Sequence, residues 1–206
     1  MRRLGLYRIL GLVAMTILVV ASASVAVAAP QERIDYWRKN YEELLPTADP
    51  RAARAHSIFE RVLNTAGKRP GVVPRLFITQ SDPLNISLPI SIPDGWIILS
   101  TGTLDICYRD PVRGDDRLAF VLAHELAHQL KDDFWHMKFF QALEASKIQG
   151  PQHQKVLEEV RDIASSAEQV LAKELQADEQ GIVYASLAGF NTNTIVTQND
   201  AVNFFE

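Results

Sequence analysis

The chain is short of cysteine. Its 206 residues hold one, Cys107, which excludes an internal disulfide and a cysteine-rich metal knuckle. It also lacks basic excess, with 21 Lys and Arg against 25 Asp and Glu and a net charge of −4. A nucleic-acid footprint needs the opposite balance, so no nucleic-acid partner is expected. Internal repeats and low-complexity tracts are missing. With 47% hydrophobic and 22% charged residues, this sets aside disorder, collagen and coiled coil. What remains is one domain large enough to bury a core.

Only one long apolar run occurs, and it opens the chain. Arg2, Arg3 and Arg8 precede an apolar stretch from Ile9 to Val20, which fades into Ala21-Ser22-Ala23-Ser24 and the small-x-small triplet Ala26-Val27-Ala28. That order of basic, apolar and small residues predicts a signal peptide over 1–28 and a single domain over 29–206. The alternative is an uncleaved anchor over 9–29, long enough to span an inner membrane. The expected location is therefore periplasmic or exported, and the domain left after cleavage is the more acidic for losing three arginines. Export is consistent with the lone cysteine, since an oxidising compartment permits disulfides without requiring them.

Within the domain, Ile34, Trp37, Tyr41, Leu44 and Leu45 recur at helical spacing and predict a helix over 31–45. A second helix is expected from a cap at Thr47 or Asp49, through Pro50 in its first turn, to Gly67. Leu76–Thr79 and Trp96–Ser100 read as strands, the latter entered by the turn pair Asp94-Gly95, and 80–95 reads as loop or irregular edge. Helices are expected over about 116–131, 134–149 and 152–188, and from Asn193. The fold class is α+β, mostly helical, with one small sheet.

The helix over 116–131 carries the chemistry. Leu118, Leu122, Leu126 and Leu130 form one row, Ala119, Ala123 and Ala127 the next, Phe120, His124 and His128 a third, and Val121, Glu125 and Gln129 the fourth. A helix this apolar on so many sides is buried, and its Ala row admits close approach by another element. His124 and His128 lie one turn apart on one face, so both imidazoles can reach one zinc ion. Glu125 lies about 100° further round and can lean towards a water at the metal. Chance places H-E-x-x-H in a chain of this composition about 0.007 times, which disfavours two core histidines and a surface glutamate.

A catalytic zinc site usually has a third protein ligand. The helix around 165–188 has a stripe of Leu171, Glu174, Asp178, Ile182 and Ala185, with Leu175 and Gly181 alongside. Glu174 and Asp178 interrupt an otherwise apolar face, where a carboxylate is costly unless it binds a metal or a donor. Glu174 on zinc and Asp178 accepting an imidazole N–H meet both needs. Gly181 is expected to let this helix sit close to the Ala row.

His124-Glu125-Leu126-Ala127-His128, followed by Glu174-Leu175-Gln176-Ala177-Asp178, resembles the gluzincin metallopeptidases of the HtpX and CAAX-prenyl-protease type. In these a helix bearing H-E-x-x-H is joined by a later E-x-x-A-D helix. Asn85 to Pro89 and Asp94 to Gly102 are similar to the family's N-A-F-x-x-P-G-G-x-I-x-x-x-x-G segment, with departures at Ile86 and Ser87 and a longer loop from Pro89 to Asp94. The resemblance covers roughly 50–206. It implies a zincin-like metallopeptidase domain, one Zn2+ per chain held by His124, His128 and Glu174, Glu125 as the base that takes a proton from the attacking water, and Asp178 orienting a ligand. A signal peptide without further apolar spans is most similar in layout to exported BepA-type members, here without their helical-repeat domain. By the same analogy, Trp96, Ile97, Ile98, Leu99 and Ser100 would offer a strand edge to extended substrates. Unfolded or misfolded envelope polypeptides are the expected clients, in envelope protein quality control, with membrane or envelope association.

Several residues are left over. No oxyanion donor is evident, with His136, His153 and Tyr184 as candidates. Phe134, Trp135, Phe139 and Phe140 form an aromatic cluster expected in the core, and Asp132 and Asp133 are expected in solvent. The chain stops inside what reads as an amphipathic helix over 201–206, so the domain is either minimal or cut short. A rival function is a zinc-stabilised chaperone or binding module with little or no turnover.

Overall fold

The computed structural model describes residues 30–81, 87, 89–134 and 167–196. Its elements run α1 (Pro30–Asn40), α2 (Pro50–Ala66), β1 (Arg75–Thr79), β2 (Ile90–Ser91), β3 (Trp96–Ser100), α3 (Thr101–Cys107), α4 (Gly114–Lys131), α5 (Ala167–Leu187) and α6 (Asn193–Val196). This is the expected α+β, mostly helical class. The sheet has the order β1-β3-β2. β1 runs parallel to β3, from Arg75 opposite Trp96 to Thr79 opposite Ser100, and β2 runs antiparallel, with Ile90 opposite Ile98. The predicted segment 1–29, the helix over 134–149, the first part of that over 152–188 and the C-terminal 197–206 lie outside the described residues.

The sheet is apolar because both its faces are covered. Side chains alternate between faces along a strand. Leu76, Ile78, Ile97 and Leu99 enter a large core with Ile58, Phe59, Val62, Leu118 and Leu122. Phe77, Trp96 and Ile98 enter a smaller one with Ile34, Trp37, Ile90 and Ile92. Each such side chain, fully buried, contributes about 1.5–3 kcal/mol. Arg38 and Arg75 each lie over the Trp96 ring, at 5.1 and 5.3 Å from its centre, joining α1 to the sheet by cation–π attraction.

Caps set the helix boundaries. Asp49 is the N-cap of α2, its side chain accepting from Arg51 N–H at 2.7 Å, with Pro50 in the first turn and Gly67 at the end. The Arg51 guanidinium also holds the Asp49 carboxyl below its usual range. α4 begins two residues earlier than expected, at Gly114, where a Cβ would sit 2.1 Å from the Tyr108 ring.

Three readings are corrected. α1 ends at Asn40, not Leu45. Leu44 N–H donates to Ile78 O at 2.7 Å and Gln80 N–H to Glu42 O at 2.9 Å, so residues 42–44 line the outside of β1 instead. The stretch 80–95 contains β2. A short helix unforeseen in the sequence, α3, follows β3 directly, with the Ser100 hydroxyl accepting from Thr103 N–H. Cys107 is buried as expected, and burial pushes its thiol up to about 12, which keeps it protonated and unreactive.

Candidate metal centre

α4 runs through the middle of the fold. Leu118, Leu122, Leu126 and Ala119, Ala123, Ala127 are all buried, so packing rather than propensity fixes the rotation of the helix about its axis. That rotation aims His124 and His128 at α5. Gly181 of α5 makes the approach close: a Cβ there would lie 3.1 Å from His124 N and 3.2 Å from its Cα. The contact is with the Phe120–His124 row, not the Ala row as expected.

Three donor groups converge. His124 Nε2 and His128 Nε2 are 3.0 Å apart. Glu174 Oε1 lies 3.1 Å from His128 Nε2, and Glu174 Oε2 lies 3.3 Å from His124 Nε2. Ligands held at about 2.0–2.1 Å on a tetrahedral ion stand about 3.3–3.4 Å from one another, so these three edges suit one small cation. The charge balance agrees. Burial pushes the His124 pKa down, but hydrogen bonds to Asp178 and Glu174 and the nearby Glu125 carboxylate win and lift it to about 10. A pocket that retains a proton so firmly favours positive charge, and a divalent ion would take that proton's place.

The ring orientations are fixed from behind. His124 Nδ1 lies 2.8 Å from Asp178 Oδ1, so the Nδ1–H donates there, and Nε2 is the nitrogen whose lone pair would face a metal once its own proton is released. His128 Nδ1 faces Asp133 Oδ2 at 3.6 Å, an ion-pair distance rather than a hydrogen bond. Lys173 Nζ donates to Asp133 Oδ1 at 2.9 Å, and Asp133 N–H donates to His128 O. Asp133 is therefore largely buried beside His128, not solvated. The left-handed turn at Asp132, with φ of 58°, brings it back. Asp132 itself is exposed and pairs with Arg69.

The other polar face of α4 is different. Glu125 is 0% exposed and Gln129 3% exposed, and neither side chain has a hydrogen-bond partner among the described residues. Leaving such a group unpaired costs about 1–3 kcal/mol. The main chain here is held, since Ser91 Oγ donates to Glu125 O at 2.9 Å. That bond ties β2 to α4 beside the metal centre.

The expected substrate strand is corrected. β3 is the central strand, with all five residues Trp96–Ser100 buried. β1 covers one side along its length, and β2 covers the other at Ile97 and Ile98. Among the described residues β1 and β2 are the outer strands, and residues 42–44 line the outside of β1. The stripe on α5 is also corrected: Leu171 and Leu175 are exposed, while Ala177, Gly181 and Ala185 are buried. Of the oxyanion candidates, Tyr184 packs against the main core, and His136 and His153 lie outside the described residues. So does the aromatic cluster apart from Phe134, whose ring lies under Arg69 at 5.6 Å. No described helix is long and apolar enough to cross a membrane.

Comparison with known proteins places these features in context. The sequence model of peptidase family M48 matches residues 50–202. A stretch of 101 residues is 32% identical to the mitochondrial metalloendopeptidase OMA1 of Saccharomyces cerevisiae (strain ATCC 204508 / S288c), covering 46% of this chain and 28% of that protein. The match thus spans under a third of the relative's length.

Proposed function

The chain belongs to peptidase family M48, and from that premise we propose that it is a zinc-dependent endopeptidase. The observation that carries this reading is the convergence of His124, His128 and Glu174 within 4.8 Å of one another, with a buried, unpartnered carboxylate on the neighbouring residue. When bound, zinc supplies a Lewis acid that polarises the scissile carbonyl and acidifies water at the site. Asp178 keeps His124 in the tautomer that presents Nε2. Glu125 accepts the proton of the attacking water and returns it to the leaving amine. The outer strand β2 offers main-chain groups to an extended polypeptide, which reads backbone more than side chains.

The wider setting belongs to the same proposal. The basic, apolar, small-residue order of 1–28 supports export, and backbone-based recognition suits unfolded or misfolded envelope polypeptides and a part in envelope quality control. The layout would then be that of exported BepA-type members. N-terminal sequencing of the protein from cells tests this: a start near residue 29 is expected, and an intact start in the cytosolic fraction contradicts it.

Cleavage of casein by zinc-loaded protein tests the activity. Loss on treatment with a chelator and return on adding zinc are expected; zinc-loaded protein that leaves casein intact overturns the reading. The complete burial of Glu125 favours a second reading, a zinc-stabilised binding module with little turnover. Under it Glu125→Gln complements a deletion as well as wild type does.

A further inference from the structure

Gln129 has no assigned role, yet it is placed as Glu125 is. It lies one turn further along the same row of α4, about 40° round the helix from Glu125, and their Cβ atoms stand about 5–6 Å apart. Its side chain is 3% exposed. Among the described residues its amide nitrogen and oxygen both lack a hydrogen-bond partner, as do both oxygens of Glu125. A structural glutamine would have found at least one bond, since buried polar atoms are paired in the large majority of cases. This one is instead kept in an apolar helix, flanked by Leu122, Leu126 and His128, with two hydrogen-bonding ends unused.

A primary amide with a free donor and a free acceptor matches one ligand group closely. An extended peptide unit presents an N–H and a C=O, each needing the opposite partner. β2 lies against this part of α4, tied at Ser91 to the Glu125 carbonyl, so a chain laid beside β2 passes the Glu125–Gln129 row. Whatever movement admits a peptide to Glu125 also admits it to Gln129, because one turn of helix separates them.

We propose that Gln129 is a substrate-binding residue whose carboxamide hydrogen-bonds a main-chain peptide group of the bound polypeptide next to Glu125. The proposal rests on the proteolytic reading of the centre. It sets the register of the substrate against the base, a role distinct from holding the metal.

Gln129→Met tests it, since methionine keeps the length and removes both hydrogen-bonding ends. Zinc content, Tm, and kcat and KM on an unstructured fluorogenic decapeptide are compared with wild type. Binding of the same peptide is measured in a Glu125→Ala background, which does not depend on turnover. Expected are one zinc per chain, an unchanged or raised Tm, and a ten-fold or greater loss of kcat/KM carried mainly by KM. Peptide binding in the Glu125→Ala background should weaken by a similar factor. N-methylating the peptide's amides one at a time should reveal a position that harms wild type and leaves Gln129→Met unaffected. Wild-type cleavage and binding retained in Gln129→Met overturn the proposal. So does a lower Tm with lost zinc, which marks a structural role, or a water-filled pocket only. Gln129→Leu repeats the test if Met perturbs packing. Wild type that binds the peptide but never cleaves it removes the proteolytic reading and leaves the binding arm to decide this one.

Discussion

The two polar faces of α4 are built to opposite rules. Towards α5, each imidazole has a carboxylate behind it and Glu174 in front: Asp178 at 2.8 Å from His124 and Asp133 at 3.6 Å from His128. Towards β2, Glu125 and Gln129 are more deeply buried than His124, and their side chains have no hydrogen-bond partner among the described residues. One face is saturated and holds its geometry before anything binds. The other carries buried polar groups without a hydrogen-bond partner among the described residues. A helix that served stability alone would have apolar residues at 125 and 129, and on the proposed reading the second face gives up stability for the sake of reaction.

The contrast makes separable predictions. Glu125→Gln should lower the cleavage rate by about 10²–10⁴-fold, the usual worth of a general base, with zinc content unchanged. Equal activity in both proteins, read by casein cleavage, would erase the distinction between the faces. Asp178→Asn acts on the other face and should weaken zinc binding by about 10–100-fold, as read by competition with a chromogenic chelator; wild-type affinity would mean that His124 needs no support from behind.

Acidity sharpens the same division. The His124 pKa is raised to about 10 against burial by Asp178, Glu174 and Glu125. In the metal-free protein this stabilises the fold fully below the unfolded value of about 6.5, and the stabilisation is lost as pH rises through about 10. A zinc ion would bind the neutral ring, so its binding would release that proton. Its affinity should therefore climb about ten-fold per pH unit from 7 to 9, measured by calorimetry in buffers of different ionisation enthalpy. A flat profile with no proton release would contradict the assignment. The smallest effect is expected at the seam between the helices. Gly181→Ala pushes a methyl against the His124 backbone and should cost about 1–3 kcal/mol in urea unfolding. An unchanged midpoint would show that α5 can retreat freely.

Much of the first face was legible in the sequence. The four-residue spacing of His124 and His128 is itself a geometry, and so is that of Glu174 and Asp178, although the apolar stripe expected around them is exposed at Leu171. Asp133 was not legible, because a left-handed turn beyond the helix end returns it to His128, and no periodic pattern carries that. The fold was readable where contacts are local, as in α2 with its Asp49 cap. It failed where pairing is distant: residues 42–44 join the outside of β1 rather than prolonging α1, and a two-residue β2 is too short to show alternation. That short strand is what makes β3 central, with β1 and β2 on either side of it. Gln129 was visible on the row of Glu125, but its lack of partners shows only in three dimensions.

The central claim is that Glu174 completes a three-residue metal centre with His124 and His128 while Glu125 stands outside it. Zinc per chain, measured by mass spectrometry after dialysis against a weak chelator, tests it directly in wild type, Glu125→Gln and Glu174→Ala. One ion is expected in the first two and almost none in the third. A full complement of zinc in Glu174→Ala, or its loss in Glu125→Gln, would contradict it.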